Sequence, residues 1–192
     1  MRCLDLSHFA DLKTSEIQTL EPGNDLSYAV INKYMELLVD NKPRSAALTC
    51  MFFEDRCANE QPNKLPSQWW SLQNIFIPIC VQSHWSLLCA SPQQKSISIA
   101  NSKKPTRQEL KCVRLVSDFL QKNSPVALES ASWSIYLHEG TPVQKHGHDS
   151  GVFVCMFARQ ILYRLRQFDH SCVQVYREWM KKELFNNQLY ND

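Results

Sequence analysis

The chain has 192 residues, enough for one domain with a sizeable core, and nearly balanced charge, 21 basic against 19 acidic residues. That balance excludes an electrostatic demand for nucleic acid or an anionic membrane surface. The eight cysteines stand singly, at positions 3, 50, 57, 80, 89, 112, 155 and 172, with no Cys-x-x-Cys pair, which points away from a disulfide framework and toward a reducing compartment, cytoplasm or nucleus.

The opening Met1-Arg2-Cys3-Leu4-Asp5 lacks the continuous apolar core of a signal peptide, and residues 1–22 read as an irregular lead-in. A helix is predicted next, capped by Asn24 or Asp25, with Leu26, Val30, Tyr34, Leu37 and Leu38 at helical spacing and a stop before Asn41-Lys42-Pro43. A shorter helix is predicted over Ser45 to Arg56, followed by a proline-marked loop from Asn59 to Ser67. No charged side chain occurs between Lys64 and Lys95. Gln73, Asn74, Pro78, Gln82, Ser83 and His84 interrupt that stretch, so it reads as buried strands rather than a membrane span.

Three strands are predicted there: Ile75 to Cys80, cut short by Pro78; His84 to Cys89; and Ser96 to Asn101. Alternation in the third puts Asn101 on the face of Ile97 and Ile99, toward the core. Thr106-Arg107-Gln108-Glu109 is a capping box, opening a helix to about Lys122 with Leu110, Val113, Val116 or Ser117, and Leu120 as its apolar stripe. Ser132 to Leu137 predicts a short strand, Ser150 to about Arg166 an apolar helix, and Val173, Tyr176, Met180 and Leu184 line a last amphipathic helix. This order gives an α+β class, and residues 1–192 read as a single domain.

The chemistry gathers in three places. Pro142 to His148 is a polar, glycine-broken loop. Asp149 suits an N-cap, which sets Ser150 in the first turn at the positive end of the helix dipole. His84 starts one strand and Asn101 ends the next, so antiparallel pairing brings them together. Nucleophilic catalysis needs such a set: a nucleophile, an imidazole that takes its proton, and a group that orients the imidazole. Gln144 offers a side-chain amide for an oxyanion. Taken singly, each is equally an ordinary core or loop residue. Cys155 lies more than a turn into the helix and reads as core. A metal-binding module from His138, His146, His148 and Asp149 is a further reading, without a cysteine pair to support it.

Taken together, the motifs resemble the ubiquitin-like-protein-specific cysteine proteases, the SUMO-specific (sentrin) and related deconjugating enzymes, which are distantly similar to the adenovirus protease. That family's layout is His-Trp, an Asp about seventeen residues on, then Gln-x-x-x-x-Asp-Cys-Gly opening an apolar helix. Here it falls on His84-Trp85, Asn101-Ser102 and Gln144 through Asp149-Ser150-Gly151, and Val30 to Met35 and Arg177 to Leu184 look like the family's first and last helices. The resemblance covers about residues 12–188.

The resemblance implies a papain-like, adenain-like fold, a central mixed sheet flanked by helices with the nucleophile at the start of a buried helix. It implies a catalytic set of His84, Asn101, Ser150 and Gln144, and a substrate channel involving Trp85, Asp25 and Gly151. The activity implied is removal or maturation of a ubiquitin-like modifier, SUMO or a relative, after its C-terminal Gly-Gly, with no cofactor and no metal. The partners implied are that modifier and its conjugates, with no nucleic acid, no membrane and a monomeric state.

Three positions depart: Ser150 stands where the family has its cysteine, Asn101 where it has an acid, and Asp25 where it has a tryptophan. Asn alone is compatible with a cysteine nucleophile, as in papain-like sites, but in serine triads an Asp→Asn change costs on the order of ten-thousandfold in turnover. Ser150 is therefore either a replaced cysteine or the mark of a diverged, inactive relative that binds the modifier.

Overall fold

Alternation of side chains along the central strands divides the molecule into two apolar layers on either side of one sheet. In this computed structural model, which describes residues 12–40, 42–50, 65–125, 132–138, 140–165 and 168–190, the chain begins with a short α1 (Thr14–Ile17) and a following 3-10 turn. Then come α2 (Tyr28–Val39), β1 (Ser45–Ala47), β2 (Asn74–Val81), β3 (His84–Ser91), β4 (Ser96–Ala100) and α3 (Arg107–Lys122). The chain continues through β5 (Ser134–Leu137), α4 (Ser150–Tyr163) and α5 (Val173–Asn186). The five strands lie in sequence order; the β1–β2 and β4–β5 pairs are parallel and the two central pairs antiparallel. The sheet is mixed and the class is α+β.

Phe76, Trp85, Leu87 and Cys89 face α2, α4 and α5, while Ile75, Ile77, Ile79, Leu88, Ile97 and Ile99 face Val113, Val116 and Leu120 of α3. Every residue of α4 from Ser150 to Arg159 is buried, as expected for a helix apolar on all sides. His84, Ser86 and Leu88 share the α3 face by strand parity, whereas Trp85 shares the α4 face. The start of β3 is thus where groups from both layers can meet.

The structure departs from the sequence-based expectations at several points. The cap of α2 is Ser27, whose hydroxyl accepts from the Val30 N–H at 3.2 Å, and not Asn24 or Asp25. Leu26 and Ile31 flank that cap, and both press against Gly151: a Cβ added there would sit 2.9 Å from Leu26 Cβ and 3.2 Å from Ile31 Cδ1. Ser45 to Ala47 is a strand rather than the start of a helix, because β2 offers it an edge to pair with; residues 51–56 of that predicted helix lie outside the described residues. β2 runs on through Pro78 to Val81, since β1 stops pairing at Phe76 and leaves that flank without a ladder partner among the described residues. Along α3, Leu110 is exposed and Glu109 is buried in its place. β5 is an edge strand with all four residues exposed, and α4 ends at Tyr163 with Arg164 as a left-handed cap.

Two buried arginines tie the helical layer together. Arg159 of α4 pairs with Glu183 of α5 at 2.7 Å, and the Tyr34 hydroxyl of α2 donates to the same carboxylate at 2.7 Å. Arg177 of α5 is almost fully buried and donates to the carbonyls of Thr19, Asn24 and His148 and to the Asp149 carboxylate at 3.0, 2.8, 3.1 and 3.2 Å. It therefore joins the lead-in, α5 and the turn before Ser150. Removing one member of a buried pair leaves an uncompensated charge, worth about 3–5 kcal/mol. Arg177→Met should cost about that much in urea unfolding; a loss under about 1 kcal/mol would show that the clamp is not structural.

Candidate active site

β3 and β4 bring the first pair of site residues together. Their register sets Leu87 opposite Ala100, so one step further Ser86 lies opposite Asn101 and His84 is two residues beyond. His84 Nε2 is 2.7 Å from Asn101 Oδ1. The same oxygen accepts from the Lys103 N–H at 2.8 Å, while Asn101 Nδ2 donates to Glu109 Oε1 at 2.7 Å. Those two partners set the amide's orientation: Oδ1 is the acceptor, so His84 Nε2 carries the hydrogen. His84 Nδ1 is then the basic nitrogen, and it is buried with no hydrogen-bond partner. An imidazole held through one nitrogen, with the other bare, is arranged to accept a proton there.

Ser150 approaches from the other layer. It opens α4, is fully buried, and its Oγ accepts from the Trp85 N–H at 3.2 Å. A backbone donor on this oxygen and the free N–H groups of a helix start both favour negative charge there. Asp149 holds the N-cap position but does not cap with its side chain; its carboxylate turns to Arg177 instead. The capping expectation is corrected, and the physical reason is competition, since a charged guanidinium is a stronger donor than a helix N–H.

Gln144 stands beside this centre, tied to Ser102, the neighbour of Asn101. Its N–H donates to the Ser102 carbonyl at 3.1 Å and its Oε1 accepts from Ser102 Oγ at 2.5 Å. Its Nε2 donates to the carbonyls of His146 and Gly147 at 2.7 and 3.1 Å. Both amide hydrogens therefore have carbonyl partners in the loop, and donation to an oxyanion requires one of those contacts to open.

Trp85 is buried, with the Tyr28 ring set edge-on at 4.8 Å between centroids. Asp25 is exposed on the segment before α2. The aromatic that meets Trp85 is thus Tyr28, three positions after Asp25 and in the first turn of α2. Gly151 is buried under Leu26 and Ile31, and what it contributes in this structure is close approach of α4 to the α2 entrance.

The His146 and His148 rings stack at 5.5 Å, and His170 closes on His146 at 5.1 Å. Among the described residues no group of three or more His, Cys, Asp or Glu is arranged to hold a metal ion. A cleft of about 320 Å³ opens on the far side of Asn101, lined by Lys103, Lys104, Leu137 and His138 among others; neither His84 nor Ser150 lines it.

Sequence reasoning missed Glu109, Ser86, Ser102 and Tyr28. Glu109 had a signal, since the capping box set it at a known position, but the box gave it a local role only.

Over residues 12–188 the chain matches the Ulp1 protease family, C-terminal catalytic domain. It belongs to that family. Sentrin-specific protease 5 of Mus musculus is 28% identical over 194 residues, 95% of this chain and 25% of the relative, so the chain spans about a quarter of that protein's length. The fold of this Ulp1-family domain is shared with a solved structure of SUMO protease Ulp1 whose catalytic cysteine is oxidized to a sulfenic acid: TM-score 0.78, 19% identity, 92% of this chain and 84% of that one. It is shared also with the C-terminal Ulp1 protease domain in complex with Smt3, the yeast ortholog of SUMO: TM-score 0.74, 17% identity, 94% and 91% coverage.

In this Ulp1-family domain the buried thiols are poor nucleophiles. Burial pushes the Cys89 thiol up to about 12 and the wholly buried Cys155 thiol further in the same direction. A raised value keeps both protonated at neutral pH, hence inert. In the folded Ser150→Cys chain at pH 7.5, iodoacetamide should modify residue 150 within minutes and leave Cys89 and Cys155 untouched over hours, read by peptide mass. Labelling of Cys155 as fast as residue 150 would reopen it as a nucleophile.

Proposed function

We propose that this domain is a cysteine-type peptidase or isopeptidase of a ubiquitin-like modifier, SUMO or a relative, with Ser150 at the nucleophile position. One observation carries the reading: His84 is oriented by Asn101 through Nε2, and its Nδ1 is left bare at the layer boundary where Ser150 opens α4. In the proposed reaction the residue at 150 attacks the carbonyl of the modifier's terminal glycine as His84 takes its proton. The tetrahedral oxyanion forms near the first N–H groups of α4 and Gln144. The imidazolium then protonates the departing amine, and water hydrolyses the acyl-enzyme by the same route. Trp85 and Tyr28 supply aromatic walls suited to a tail of two glycines. No cofactor takes part. The protein acts as a monomer in the cytoplasm or nucleus, in keeping with described cysteines that are thiols rather than disulfides.

A second reading, an inactive binder of the same modifier, is favoured by two observations. A serine does not ionise in this field as a thiol does. The Gln144 amide hydrogens are both directed at loop carbonyls.

The test is turnover of ubiquitin-like proteins carrying a fluorophore on the C-terminal glycine. The chain as written should show almost none, Ser150→Cys should gain at least about a thousandfold for one modifier, and His84→Ala in that background should lose it. A cysteine form that cleaves no modifier, while the unsubstituted chain still binds one, would replace the peptidase by the binder.

A further inference from the structure

Glu109 is a carboxylate buried in the sheet–α3 layer with no ordinary reason to be there. It is about 1% exposed, and among the described residues no Lys or Arg forms an ion pair with it. Three donors converge on it: the Ser86 hydroxyl of β3, the Asn101 amide at 2.7 Å, and the Thr106 N–H at 2.6 Å. All three donate, so the group sits there as an acceptor-only carboxylate. A helix cap uses one such contact at the surface and does not need the other two. The further titratable group it meets is Cys112 on its own helix, whose thiol is raised by burial and then by the Glu109 charge.

The Asn101 amide spans the gap from this carboxylate to His84, its Nδ2 toward Glu109 and its Oδ1 toward His84 Nε2. Such an amide is polarised by the anion behind it, and its oxygen becomes a better acceptor for an imidazolium. We propose that Glu109 is a positioning residue for His84, supplying through Asn101 the negative charge that position 101 itself lacks. The acid has moved one hydrogen bond outward. This rests on the proposed peptidase reading for its use, but not for its existence.

The test therefore begins with a readout independent of catalysis. In the chain as written, the His84 ring signal is followed by NMR against pH and compared with Glu109→Gln, which keeps the capping box because Gln serves at that position. Loss of the charge should lower the His84 titration midpoint by about one pH unit, a tenfold change in proton affinity or about 1.4 kcal/mol. Glu109→Asp should lower it by less. In an Asn101→Ala background Glu109→Gln should have at most half the effect, because the bridge is gone. The unsubstituted chain gives a check that needs no variant: the Glu109 carboxyl carbon should show an inflection at the His84 midpoint. In the Ser150→Cys background, Glu109→Gln should lower kcat about tenfold with KM unchanged.

An unmoved His84 midpoint in a folded Glu109→Gln, or equal shifts in the Gln and Asp variants, would make Glu109 a structural cap only. Absence of the inflection in the unsubstituted chain would say the same. Failure of Ser150→Cys to cleave any modifier would strike the peptidase reading and leave the titration result standing.

Discussion

The Arg177–Asp149 contact, buried on both sides, is the constraint on which the rest of the arrangement depends. It takes the carboxylate that would cap α4 and uses it to anchor the start of that helix to α5. The same guanidinium holds the carbonyls of Thr19 and Asn24, so the entrance to α2 is fixed by the same group. Leu26 and Ile31 then seat on Gly151, which has no side chain to hold them off. Ser150 is therefore positioned by its neighbours on either side in sequence, Asp149 through charge and Gly151 through packing. Little freedom remains for its hydroxyl, which points at the Trp85 N–H.

The proposed site lies where two layers of side chains meet at the start of β3. Parity puts His84 and Ser86 with α3 and puts Trp85 with α4, so consecutive residues of one strand face the two halves of the chemistry. The imidazole is supported from one layer by Asn101 and Glu109, and the residue at 150 arrives from the other. Asn in place of an acid is tolerable for a thiolate–imidazolium pair, in which the charges are already formed. It is a poor match for serine, which must lose its proton during attack. In the proposed reaction a base supported at a distance would meet, at Ser150, a nucleophile that needs more support than that.

Much of this was legible in the residues. The spacing of His84, Asn101, Gln144 and Ser150 marked the residues of the proposed site, the Ser96–Asn101 alternation placed Asn101 on the α3 face, and the Thr106–Glu109 box located α3. These signals are local, or belong to a motif read as a unit. What was not legible depends on partners distant in sequence. Asp149 looks like a cap until Arg177, 28 residues later, competes for it. Glu109 looks like the second half of a capping box until β3 and β4 deliver Ser86 and Asn101. Leu110 is the more apolar choice for the inward position, and burial of Glu109 overrides it because three donors are waiting there. Ser45–Ala47 carries no strand signal of its own and becomes a strand because β2 has an open edge. Tyr28 was passed over because its contact with Trp85 joins two elements 57 positions apart.

The most direct measurement is a crystal structure of the Ser150→Cys chain joined to a ubiquitin-like modifier that ends in an electrophile at its C-terminal glycine. The account predicts one covalent bond, at residue 150, with His84 Nδ1 turned to the sulfur and Asn101 still on Nε2. The two glycines should pass between Tyr28 and Trp85, and a Gln144 amide hydrogen should leave its loop carbonyl for the substrate oxygen. A modifier bonded to another cysteine, or a tail lying away from Trp85 with His84 unengaged, would contradict it.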